Sequence, residues 1–130
     1  MPVLRRSLSV LALLFALCTT VLVTPASAAV YDSCSVSGCS AAKTAYNGWN
    51  ELGFPRSAGW YAWPYGQYNY SGGVFQNREG ELPACDSFNE YDVNPRAKGA
   101  ARDAARIVRD VTTGVVWYTP DHYVNFYRIV

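Results

Sequence analysis

The apolar residues of this chain change their spacing twice. They run almost unbroken from Leu8 to Val23, recur every three or four positions at Ala42, Ala45, Tyr46, Trp49 and Leu52, and after Gly73 fall into short runs separated by turn formers. The first run follows Arg5 and Arg6 and ends at Pro25 and Ala26-Ser27-Ala28, a small-x-small cleavage pattern. It is short of the ~20 residues that a membrane span requires. It therefore predicts a signal peptide over residues 1–28, with residues 29–130 as a single secreted domain.

The second spacing, preceded by Ser40, predicts an amphipathic helix that ends near Gly53 and packs its aromatic face on a sheet. Residues 54–73 are dense in Pro, Gly, Tyr and Asn and read as an irregular loop. Beyond them, Gly73–Gln76, Phe88–Val93, Ala104–Val108, Val115–Tyr118 and Val124–Ile129 read as strands. The alanines from Ala100 to Ala105 suit a helix equally well. A helix followed by strands argues for an α+β fold, with the helix on one face of an antiparallel sheet.

Charge narrows the possible partners. Removing Arg5 and Arg6 lowers the basic count from 11 to 9 against 10 acids, a formal −1 for residues 29–130. A broad basic surface is thereby excluded, and any polyanion must be held by a local arginine cluster. Cys18 would leave with the signal peptide, so Cys34, Cys39 and Cys85 remain and one stays odd. In an oxidising compartment a disulfide is expected. A bridge from either N-terminal cysteine to Cys85 would close the longer loop, worth ~3–4 kcal/mol. Metal ligation is disfavoured, because Cys34 and Cys39 lack ligand spacing and no histidine accompanies them.

Residues 29–130 contain one histidine, His122, at a turn in Thr119-Pro120-Asp121-His122-Tyr123. Glu90 lies in a strand where Phe88, Glu90 and Asp92 share one face and Asn89, Tyr91 and Val93 the other. Arg102 and Arg106, four apart, would share a face if they too lay on a strand. An ion-pair network on a solvated face is the plain alternative. Cleavage of RNA requires a base for the 2′-hydroxyl, an acid for the 5′-oxygen and cations for the phosphorane. One carboxylate, one imidazole and two arginines supply these without a metal.

Four blocks carry a specific resemblance: Phe75-Gln76-Asn77-Arg78-Glu79 after Gly73-Val74, Asn89-Glu90-Tyr91, Arg102 with Arg106-Ile107-Val108, and Asp121-His122-Tyr123. In this order they resemble the bacterial guanyl-specific ribonucleases related to barnase, over roughly residues 72–129. The resemblance implies the microbial ribonuclease fold, a helix packed on a four- to five-stranded antiparallel sheet. It also implies a secreted, extracellular endoribonuclease that cleaves single-stranded RNA after guanosine through a 2′,3′-cyclic phosphate, with no cofactor. Glu90 then matches the general base, His122 the general acid, and Arg102 and Arg106 the phosphate ligands, with Tyr123 beside the phosphate. Phe75, Gln76, Asn77, Arg78 and Glu79 match the guanine-recognition segment. There, backbone N–H groups meet O6 and N7, and Glu79 accepts from N1 and N2.

Between Glu90 and Arg102 the chain is one residue longer than the pattern of the family it resembles, which leaves Arg96 and Lys98 as competitors for the first phosphate position. The resemblance is consistent with a monomer, with no membrane partner and with a barstar-like protein inhibitor. Two rival readings are a catalytically decayed RNA-binding module and a carbohydrate-binding module. The latter would use Trp60, Trp63, Tyr65 and Tyr68 as its platform.

Overall fold

A computed structural model of the protein describes residues 28–130, so residues 1–27 of the expected signal segment, Cys18 among them, lie outside the described residues. Among the described residues one helix, α1 (Cys39–Glu51), covers one face of a sheet. The strands in chain order are β1 (Ala29–Tyr31), β2 (Gly59–Ala62), β3 (Tyr68–Phe75), β4 (Phe88–Asp92), β5 (Arg106–Asp110), β6 (Val116–Thr119) and β7 (Asn125–Arg128). Across the sheet they run β1-β7-β6-β5-β4-β3-β2, with every pair antiparallel except β1 beside β7. The α+β class holds, but the sheet has seven strands rather than four or five. Among the described residues no helix is long and apolar enough to cross a membrane.

The two edge strands account for the difference. Strand β1 has three residues, too few for a periodic signal. Strand β2 and most of β3 fall in the segment read as a loop. There Trp60 pairs with Tyr70 and Ala62 with Tyr68, and the turn between them is made by Gly66 (φ 102°) and Gln67 (φ 62°). The Gly and Pro density of residues 54–73 thus belongs to a hairpin turn and to the bulge between Ser71 and Gly73. Residues 100–105 form neither helix nor strand, and β5 starts at Arg106. Arg102 therefore lies on irregular chain ahead of β5, not on a strand shared with Arg106.

Helix α1 begins at Cys39, after Gly38 in the left-handed region, rather than being capped by Ser40. Cys39 is bridged to Cys34, with Cα atoms 5.8 Å apart, which corrects the expected link to Cys85. None of the described cysteines is free, so the odd thiol expected of three is also corrected. A bridge across five positions removes less chain entropy than a long one, about 2 kcal/mol. Its effect is local, since it fixes the start of the helix.

The helix buries Ala42, Ala45, Gly48 and Trp49 against Tyr91, Val93, Ile107, Val116 and Tyr118 of the sheet. Trp49 is fully buried among Tyr61, Trp63 and Tyr91. A second cluster, Leu82, Phe88, Val108, Trp117 and Phe126, lies on the opposite face. The alternation of β4 divides the two: Tyr91 and Val93 face the helix, while Phe88, Glu90 and Asp92 face away.

Gly48 lies mid-helix, where glycine is ordinarily ~0.5–1 kcal/mol worse than alanine. A Cβ there would overlap the Trp63 indole. Gly48→Ala should therefore lower the unfolding free energy, by roughly 1–3 kcal/mol of overpacking. Urea denaturation decides it, and an unchanged or raised midpoint would contradict this packing.

Candidate active site

The sheet face opposite the helix carries the sequence-predicted residues. A cleft of about 320 Å³ is lined by Val74, Phe75, Gln76, Asn77, Arg78, Glu79, Glu90, His122 and Tyr123. Of the ten residues expected from sequence, eight line this one space. Arg102 and Arg106 do not line it. They stand behind Glu90, around a residue whose importance the sequence did not disclose.

That residue is Asp92, whose side chain has no exposure. Arg102 reaches its carboxylate with Nε (3.0 Å to Oδ1, 3.2 Å to Oδ2) and Nη2 (2.6 Å to Oδ1). Arg96 Nη2 lies 2.8 Å from Oδ2, and Arg106 Nε lies 3.2 Å from Oδ1. Arg102 Nη2 also donates to Glu90 Oε1 at 3.1 Å, so one guanidinium bridges both carboxylates. Arg106 Nη1 donates to the Ala105 carbonyl (2.8 Å) and to Asp103 (3.4 Å), and the residue is 3% exposed. Burial by itself would lower the Arg102 guanidinium, but hydrogen bonds to Asp92 and then Glu90 raise it above its ordinary value. At Arg106 burial prevails over Asp92, Arg102 adds its repulsion, and the group is lowered. Both remain cations at neutral pH.

The three candidates for the first phosphate position differ in what they touch. Arg102 touches Glu90, whereas Arg96 is committed to Asp92 and to the carbonyls of Asn94 and Ala100. Lys98 lies over the Tyr68 ring. The site-face signal for Asp92 was present in the alternation of β4. Its convergence with three arginines was not, because Arg96 and Arg102 arrive on irregular chain. A second residue missed is Gly72, where a Cβ would overlap the Glu90 carboxylate.

The segment Phe75–Glu79 is a built loop. Asn77, at φ 50°, uses its side chain as a peptide would: Nδ2 donates to the Leu82 carbonyl (3.0 Å), and Oδ1 accepts from Leu82 N (3.2 Å). Leu82 then plugs the loop into the second core cluster. Gln76, Arg78 and Glu79 are left exposed. One face of Phe75 is covered by Tyr123, stacked at 4.7 Å and 30°.

His122 and Tyr123 both have left-handed backbones, φ 54° and 72°. Two such residues in succession store ~1–3 kcal/mol each, and persist only where the surroundings impose them. Here His122 N donates to the Ala104 carbonyl (3.1 Å) and Tyr123 N to Thr119 Oγ1 (2.9 Å). Asp121 Oδ1 accepts from Thr119 Oγ1 (3.1 Å) and Asn125 N (2.9 Å), and its Oδ2 accepts from Asn125 Nδ2 (2.7 Å). Burial disfavours the Asp121 carboxylate, but the bonds from Asn125 and Thr119 outweigh it and hold the group below the ordinary range. Nearby Glu81 moves upward, through burial first and then the charges of Glu79 and Asp121.

The profile of the ribonuclease family matches residues 24–130. The chain belongs to that family. Guanyl-specific ribonuclease Sa3 of Kitasatospora aureofaciens is 43% identical over 68 residues, which is 48% of this chain. The chain spans 45%, about half, of that curated relative's length.

Two outcomes follow for this member of the family. Gly72→Ala should push the mobile end of Glu90 away from Arg102 and lower turnover at least tenfold, at little cost in stability. Unchanged turnover would separate Glu90's position from activity. Because Asp121 titrates low in the fold, its stabilising effect is complete above the ordinary carboxyl range and is lost as pH falls below ~4. Asp121→Asn should flatten that acid limb of stability in denaturant titrations, and an unaltered limb would assign it to other groups.

Proposed function

We propose that this protein is a secreted endoribonuclease, cut after residue 28, that cleaves single-stranded RNA 3′ to guanosine through a 2′,3′-cyclic phosphate without a metal. The observation that carries the reading is the single cleft that holds Glu90, His122 and the Phe75–Glu79 loop, with Arg102 behind Glu90. Glu90 takes the proton from the 2′-hydroxyl, whose oxygen attacks phosphorus. The P–O5′ bond breaks, and His122 protonates the departing 5′-oxygen. Arg102, held against Glu90, offsets the negative charge of the phosphorane from behind that carboxylate, while Arg106, buried on Asp92, adds field rather than direct contact. In the second step the roles reverse: His122 takes a proton from water, and Glu90 returns one to the 2′-oxygen as the P–O2′ bond breaks.

Guanine alone presents two adjacent donors, N1–H and N2–H, to one carboxylate, which suits Glu79. The base would extend the Phe75–Tyr123 stack, with Gln76, Asn77 and Arg78 shaping the pocket around it. Requirement for a 2′-hydroxyl makes RNA the substrate and spares DNA. We also propose an extracellular monomer, with a barstar-like protein as its inhibitor. The carbohydrate reading is weakened by the sheet, which divides its four aromatic residues between two faces: Trp63 is buried against Trp49, while Trp60 lies against Tyr70.

One assay tests the reading: cleavage of guanosine and adenosine dinucleotides in EDTA. The parent should cut the guanosine substrate with chelator present, with a bell-shaped pH profile. Glu90→Gln and His122→Gln should each lose roughly 10²- to 10⁴-fold. Glu79→Ala should lose most of its preference for guanosine and stay folded. Binding of RNA without cleavage would instead favour the decayed module, and a folded His122→Gln protein with near-parental rate would remove His122 from the mechanism.

A further inference from the structure

The aromatic segment from Trp60 to Tyr70 takes no part in the chemistry proposed above. Its register places Trp60, Tyr68 and Tyr70 on the sheet face that carries Glu90 and Asp92, while Tyr61 turns to Trp49 on the helix side. Trp60 and Tyr70 meet edge to face at 5.3 Å. Each of the three rings supports a cation: Arg102 over Tyr70 at 4.5 Å, Arg96 over Trp60 at 4.7 Å, and Lys98 over Tyr68 at 5.8 Å.

The three cations are not equally engaged. Arg102 and Arg96 are bound to Asp92, whereas Lys98 is exposed on the turn that follows Arg96. The base of that turn is fixed by paired backbone bonds between Tyr68 and Arg96, 3.0 and 2.8 Å. Beneath Lys98 the Tyr68 ring is 38% exposed and its cation contact is the loosest of the three. This is a firm support carrying one available ammonium group and one available ring.

Position along β3 gives the strip a direction. Phe75 opens the recognition loop, Gly73 pairs with Glu90, Tyr70 underlies Arg102, and Tyr68 underlies Lys98. At ~3.3 Å per residue, Gly73 and Tyr68 are ~17 Å apart. The guanosine end, the scissile phosphate and the strip therefore lie in sequence, with the strip beyond the phosphate. We infer that Tyr68 and Lys98, underlain by Trp60 and Arg96, form a subsite for the RNA on the 3′ side of the cleaved phosphate. Lys98 takes a phosphate and Tyr68 stacks a base. The inference rests on the ribonuclease reading. A ring for stacking beside a cation is the chemistry by which proteins hold single-stranded nucleic acid, and the charge favours a polyanion over a neutral sugar.

The test compares a guanosine dinucleotide with oligonucleotides extended on its 3′ or its 5′ side. In the parent, 3′ extension should raise kcat/KM about tenfold. Lys98→Ala and Tyr68→Leu should abolish that gain and leave the dinucleotide rate in place, while Lys98→Arg retains it. Lys98→Ala should also reduce the log–log salt slope for the extended substrate by about 0.7, one phosphate contact. Absence of a 3′ gain, a 5′ gain that Lys98→Ala removes, or equal losses on all substrates would each overturn the subsite. Failure of the parent to cut the dinucleotide falls instead on the ribonuclease reading. The subsite is then read by the binding of oligonucleotides with 2′-deoxyguanosine at the cleavage position, which lack the attacking hydroxyl. Tighter parental binding of the 3′-extended form, lost in Lys98→Ala, supports the subsite, and equal binding overturns it.

Discussion

The Asp92 carboxylate is the charge around which this face of the protein is arranged. A fully buried carboxylate is tolerated only where cations and donors replace the water it has lost, and here Arg96, Arg102 and Arg106 do so together. The same residue is held from behind, since its backbone carbonyl accepts from Trp49 Nε1 (2.9 Å) and Asn69 Nδ2 (3.2 Å). Helix, hairpin, β4 and the irregular chain before β5 thus converge on one residue. Three guanidiniums crowded together would repel one another without it. With it, Arg102 is presented to Glu90 in a fixed orientation, and the arrangement on which phosphate chemistry would depend exists before any substrate arrives.

A second constraint acts at the other side of the cleft. The His122–Tyr123 backbone is strained, and Asp121 and Thr119 supply the bonds that impose the strain. The imidazole is consequently carried by a loop whose shape is over-determined rather than by a regular element. The Phe75–Glu79 loop follows the same principle through Asn77 and Leu82. Both loops are anchored by side-chain bonds that replace secondary structure, which leaves their remaining polar groups to face the cleft.

Much of this was legible from the residues. The helix could be read because Ala42, Ala45, Tyr46, Trp49 and Leu52 repeat at its period, and β4 because its alternation is regular. The cleft residues were legible because they lie in compact blocks that resemble a known family. Strand β2 was not, since four residues ending in a Gly-rich turn carry too little periodicity to be told from a loop. The cluster around Asp92 was hidden for a different reason: it joins residues from two strands and from the irregular chain between them, a relation that local pattern does not encode. The Cys34–Cys39 bridge was misjudged because loop entropy favours distant pairs, whereas proximity at the turn before α1 decided the pairing.

The parallel pairing of β1 with β7 bears on how the protein can be handled. In a parallel pair the two strands begin at the same end, and the register sets Ala29 beside Asn125. Asn125 is the residue that clasps Asp121, so the first residue of the sheet lies next to the loop that carries the imidazole. An affinity tag or fusion partner joined ahead of Ala29 would emerge beside the Asp121–Asn125 loop. One joined after Val130 would leave from the far end of β7.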